Sequence, residues 1–96
     1  MGAISAAVSA SGLSVVVSAN TNRKQLWLQN MSTEGQIIYL KYGTSGSPSK
    51  AVIGQGFRIN PNGGNFYTTA TGWITATCIG GGYSGTDSGL LIGWEL

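Results

Sequence analysis

The sequence predicts an all-β fold, an antiparallel β-sandwich or jelly-roll-like domain of seven or eight short strands. Three observations lead there. Apolar residues alternate with polar ones in runs of four to seven residues rather than recurring at a helical period. Turn-forming residues interrupt these runs at roughly ten-residue spacing. Sixteen glycines in 96 residues, with many Ser, Thr and Asn, supply those turns. No window combines a sustained helical period with end caps.

The elements follow in order. Residues 1–12 are small and without period, which fits a flexible N-terminal arm or an edge strand; we assign them as an arm and residues 13–96 as a single sandwich domain. Leu13 to Ala19 contains the β-branched run Val15-Val16-Val17, which favours a strand. After the turn Asn20-Thr21-Asn22, Lys24 to Asn30 alternates, with Leu26 and Leu28 on one face and Gln25, Trp27 and Gln29 on the other. Met31 to Gly35 is a turn. Gln36 to Tyr42 follows, with Ile38, Leu40 and Tyr42 opposite Ile37, Tyr39 and Lys41.

Gly43 to Lys50 reads as a polar loop, and Ala51 to Ile53 and Phe57 to Ile59 as short strands. Asn60-Pro61-Asn62-Gly63-Gly64 is the strongest turn, with an Asn-Gly pair suited to a tight hairpin. Asn65 to Thr69 and Trp73 to Ile79 are strands, Gly80 to Gly85 a loop, and Gly89 to Leu96 the closing strand. The expected core is Leu26, Leu28, Ile38, Leu40, Phe57, Ile59, Ile74, Ala76, Cys78, Leu90 and Ile92.

Composition narrows the function. Charged residues are 8% of the chain and the net charge is +2, against about 25% charged residues in an average domain. Sparse charge favours association, and in so small a domain burial and chain ordering nearly cancel, which weakly favours self-association as an extra source of stability. The basic residues are scattered, with only Arg23 and Lys24 adjacent, which disfavours nucleic acid as a partner. The apolar runs are too short and too interrupted for a membrane span, and the N-terminus lacks the basic region of a signal peptide. Met1 leads us to expect an intact product; the Met1-Gly2 start fails as a myristoylation signal because position 6 is Ala6.

Catalysis finds no support. There is no His, and the three carboxylates, Glu34, Asp87 and Glu95, are far apart in sequence. Gly43 to Lys50 is not a phosphate loop, because Lys does not directly follow its second glycine. The single Cys78 excludes an internal disulfide and a Cys-based zinc site, and its strand context marks it as a buried hydrophobe. The sequon Asn30-Met31-Ser32 is read as chance. We expect no enzyme activity, no catalytic or metal-binding residues and no cofactor.

Along Arg23 to Gly43, Gly56 to Gly63, Trp73 to Cys78 and Leu90 to Glu95, the chain resembles small virion proteins of tailed phages. The shared pattern is an Arg-led strand ending in Gln-Asn, an Ile-Tyr strand closing in an aromatic residue and Gly, a strand running into Pro-x-Gly, and a short terminal strand. The N-terminal segment departs from it. The resemblance covers about three quarters of the chain and implies a capsid decoration (cement) protein, head fibre or spike part, commonly a β-sandwich trimer. The implied partners are the major capsid protein and further copies of the chain, and the implied location is the virion surface.

Interface candidates are Val15, Val16, Val17, Trp27, Ile37 and Tyr39. The capsid-facing surface is expected in residues 1–20. There, Val15 to Val17 either add a strand to a partner's sheet edge or pair within their own sandwich. The alternative function is a fibre or spike module that recognises host glycans through Trp27, Tyr67, Trp73 or Tyr83; a secreted lectin-like module is a third.

Overall fold

The computed structural model describes residues 2–8, 14–32, 35–43, 51–52, 54–61, 63–79 and 89–96. They form eight strands: β1 Gly2–Val8, β2 Ser14–Val17, β3 Leu26–Asn30, β4 Ile37–Tyr42, β5 Phe57–Ile59, β6 Asn65–Thr68, β7 Ile74–Ile79 and β8 Gly89–Glu95. Sheet I has the order β1-β8-β3-β6 and sheet II the order β2-β7-β4-β5. Every pairing is antiparallel, and this strand order is that of a double-sheet jelly roll. No helix occurs among the described residues.

The expected all-β sandwich is therefore the observed architecture. Of the two readings of the first twelve residues, Gly2–Val8 takes that of an edge strand. It pairs along its whole length with β8, and Val8 is fully buried in the core. Val15 to Val17 likewise pair within their own sandwich, through β7, with a register shift between Val15 and Val17. Ala51 and Val52 lie outside any strand, and Ile53 falls outside the described residues.

Only β4 and β5, among strands consecutive in sequence, share a ladder. The other six connections all cross from one sheet to the other. The Asn-Gly segment at 60–64 is thus no hairpin: it carries the chain from β5 in sheet II to β6 in sheet I. Gly63 has φ 97° there, and a Cβ on Gly64 would strike the backbone of Asn60.

Crossovers leave backbone carbonyls that need partners, and two buried polar residues at opposite ends of β3 supply them. Before the strand, the Arg23 guanidinium donates from Nη1 to the Ala70 carbonyl at 2.8 Å and the Gly72 carbonyl at 3.1 Å, and from Nη2 to the Ser18 carbonyl at 2.7 Å. Its Nε donates to Glu95 Oε2 at 2.6 Å. At the other end, Asn30 Nδ2 donates to the Gln36 and Ile59 carbonyls at 2.9 and 3.0 Å, and its Oδ1 accepts from the Ser32 amide. Both amide hydrogens of Asn30 are engaged and the residue is fully buried, so the sequon is closed to glycosylation.

The core lies between the sheets. Leu26 and Leu28 from β3, Ile38 and Leu40 from β4, Ile59 from β5, and Ile74, Ala76 and Cys78 from β7 are buried as expected. Burial pushes the Cys78 thiol pKa up, offset in part by a backbone hydrogen bond at Gly89. Three assignments need correction. Phe57 is 44% exposed. It stands on an edge strand, and its ring packs against Tyr42 and Phe66, with centroids 5.1 and 5.2 Å away, at the rim between the sheets.

Leu90 and Ile92 face outward, and Leu91 is the β8 residue in the core. The inward positions of β8 are Gly89, Leu91 and Gly93. Gly93 has no room for a side chain, because a Cβ there would collide with the Trp27 carbonyl; one on Gly89 would press on Ser32 Oγ and Ile38 at 3.1–3.3 Å. Two glycines on the core face leave the large residues of the strand on the other. Leu91→Ala should therefore cost about 2–5 kcal/mol, while Leu90→Ala should cost under about 1 kcal/mol. Urea unfolding of the two variants checks this order; equal losses would contradict the register.

Candidate functional site

The outer face of sheet I is the most distinctive surface among the described residues. The ladders align its outward side chains in lateral rows. One row runs Ala3, Trp94, Trp27, Tyr67 across all four strands. The next runs Ser5, Ile92, Gln29, Asn65. Beyond them Ala7 pairs with Leu90, whose carbonyl accepts a hydrogen bond from the Met31 amide at 2.9 Å. Trp94 is 50% and Tyr67 57% exposed, with Trp27 half-buried between their strands.

The face follows from the alternation of β3 and β6 and from the glycines on the inner side of β8. Neighbouring strands sit about 4.8 Å apart, so Trp94 and Tyr67 stand about 9.5 Å from each other on a common surface. No Asp, Glu, Lys or Arg occupies an outward position on these four strands. The Gln29 amide nitrogen donates to the Gly63 carbonyl at 3.2 Å, which holds that side chain over the β5–β6 turn.

The interface candidates are split among several surfaces. Trp27 belongs to the face just described. Ile37 and Tyr39 are half-buried on the outer face of sheet II, on the far side of the sandwich. Val15 is exposed on the edge strand β2, Val16 is partly buried against the core, and Val17 is in it. Of the aromatics weighed for glycan contact, Trp27 and Tyr67 are brought together, Trp73 lies just before β7, and Tyr83 falls outside the described residues. Trp94 completes the row; it lies on the same side of β8 as Leu90 and Ile92, which the sequence led us to expect in the core.

Glu95, one of the three carboxylates, is occupied by Arg23, and Glu34 and Asp87 lie outside the described residues. No group of His, Cys, Asp and Glu suited to a metal is found among the described residues. A shallow cleft lined by Lys41, Val52, Gln55 and Gly56 holds about 110 Å³, well below the roughly 300–1,000 Å³ of small-molecule sites. The arrangement is suited to surface recognition by flat apolar contact. No protein family, curated protein or solved structure matches the chain.

Proposed function

We propose that this protein is a non-enzymatic decoration (cement) protein of a phage capsid, which binds the outer capsid surface as a homo-oligomer and stabilises the head. The observation that carries the reading is the pair of edge strands β1 and β2. They end sheets I and II on the same side of the sandwich and pack against each other. Neither contains a charged residue or a proline, the usual guards of an edge. Such edges suit strand addition to a neighbouring subunit or to the major capsid protein. The jelly roll recurs in viral capsid and lectin domains, which supports the reading by analogy only.

The mechanism is linkage. A protein that binds the assembled lattice and not its free subunits shifts assembly toward the lattice, and a trimer that engages several capsid subunits adds avidity. The test uses capsids stripped of outer proteins. Deleting residues 2–12 would remove Val8 from the core, so Ser5→Lys combined with Val15→Lys is the better probe, placing a charge on each edge strand. The double variant should stay folded and lose at least about tenfold in capsid co-sedimentation. Unchanged binding, or a wild-type protein that never co-sediments, would refute the proposal. Sedimentation velocity should give a trimer at micromolar concentration. A second reading, a fibre or spike module that recognises host glycans, is favoured by the aromatic row on sheet I.

A further inference from the structure

We propose that the outer face of sheet I is a carbohydrate platform, on which Trp94, Trp27 and Tyr67 stack the sugars of an uncharged chain of β-linked pyranoses. The inference deepens the glycan-recognition reading and does not depend on capsid attachment, which is assigned to the edge strands. Three features carry it.

The first is ring chemistry. Pyranoses with equatorial substituents present flat faces of C–H groups, whose partial positive charge is drawn to the negative face of an indole or phenol ring. Trp94 and Tyr67, about half exposed, sit in one row on either side of Trp27. Their strand separation of about 9.5 Å is close to the repeat of a β-linked disaccharide. The adjoining row places Gln29 and Asn65, uncharged groups that match hydroxyls.

The second feature is charge. The four strands present no ionisable carboxylate, ammonium or guanidinium outward, so the face offers no counter-charge to a phosphate, a uronic acid or an acidic peptide. A neutral partner is the one it complements.

The third is size. Four strands span roughly 15 Å across and about 20 Å along, a footprint on the order of 300 Å². A standard protein interface needs about 800 Å² from each partner. The face is therefore small for a stable contact with a second copy, whereas an oligosaccharide laid along one aromatic row needs no more than this.

The test titrates the full-length protein with cellohexaose and chitohexaose, followed by calorimetry and tryptophan fluorescence, with polygalacturonate as the anionic control. The wild type should bind at least one neutral hexamer and not the anionic polymer. Trp94→Ala and Tyr67→Ala should each weaken binding about tenfold, and Tyr67→Phe should retain it, since stacking needs the ring and not the hydroxyl. Circular dichroism and melting temperature confirm that the variants are folded. The proposal is overturned if the wild type binds neither hexamer up to about 10 mM, or if binding survives both alanine variants. It is also overturned if Trp94→Ala breaks up an oligomer, because the face is then a contact between copies. Capsid co-sedimentation of Trp94→Ala should be unchanged, which separates this site from the attachment edges.

Discussion

Replacing Arg23 with leucine is expected to lower the unfolding free energy by about 3–5 kcal/mol, the usual cost of removing one member of a buried ion pair. The guanidinium is fully buried and reaches three separate parts of the chain: Ser18 after β2, Ala70 and Gly72 between β6 and β7, and Glu95 at the end of β8. Leucine would leave three carbonyls without their donor and Glu95 without its counter-charge, and each of these groups loses a charge-assisted hydrogen bond. Arg23→Lys should recover only part of the loss, since a single ammonium cannot copy a planar fork of five donors. Glu95→Gln should be milder, at about 1–2 kcal/mol, because an amide oxygen still accepts from Nε. Urea unfolding measures all three. An Arg23→Leu protein within about 1 kcal/mol of wild type would show that the crossovers hold without the guanidinium.

How much of this was legible in the sequence depends on what each residue faces. Strands β3, β4 and β7 were readable because their large apolar residues alternate cleanly: Leu26 and Leu28, Ile38 and Leu40, and Ile74, Ala76 and Cys78 all reach the core. β8 inverted the signal. Its inward positions are held by Gly89 and Gly93 on either side of Leu91, so the bulky residues mark the surface. That close approach of Gly93 to the Trp27 backbone is a property of sheet I that no local pattern announces. β1, built of Ala, Ser and Gly with only Ile4 and Val8 to orient it, carried too little contrast to separate an edge strand from an arm.

The candidate site shows the same division. Alternation correctly put Trp27 and Tyr39 on the faces opposite the core. It said nothing of which sheet each strand would join, and β3 and β4 join different ones. Two residues that look like neighbours across a turn therefore point to opposite sides of the sandwich. The row of Trp94, Trp27 and Tyr67 joins positions up to 67 residues apart and exists only through strand pairing. Arg23 and Asn30 stood out in the sequence only as the ends of a familiar-looking strand. Their common task, holding the crossovers at the two ends of β3, is visible only once the carbonyls they serve are known.

Leu28→Ala and Leu40→Ala should each cost about 2–5 kcal/mol, and the double variant about 4–10 kcal/mol. Both side chains are fully buried in one cluster, Leu28 from sheet I and Leu40 from sheet II. Each truncation removes transfer free energy and leaves a cavity that neighbours cannot fill completely. Relaxation is limited on both sides: Leu28 pairs with Gly93 and Phe66 in the ladders of sheet I, and Leu40 with Ala76 and Phe57 in those of sheet II. A domain of this length has on the order of 5–15 kcal/mol of stability in total, so two such losses remove a large share of it. The two sites belong to one cluster and will not add strictly, yet coupling of about 1 kcal/mol still leaves the double variant the least stable of the three. Urea unfolding followed by tryptophan fluorescence should show lowered midpoints for the single variants and the lowest for the double. If either single variant unfolds within about 1 kcal/mol of wild type, that leucine does not occupy the position between the sheets assigned to it.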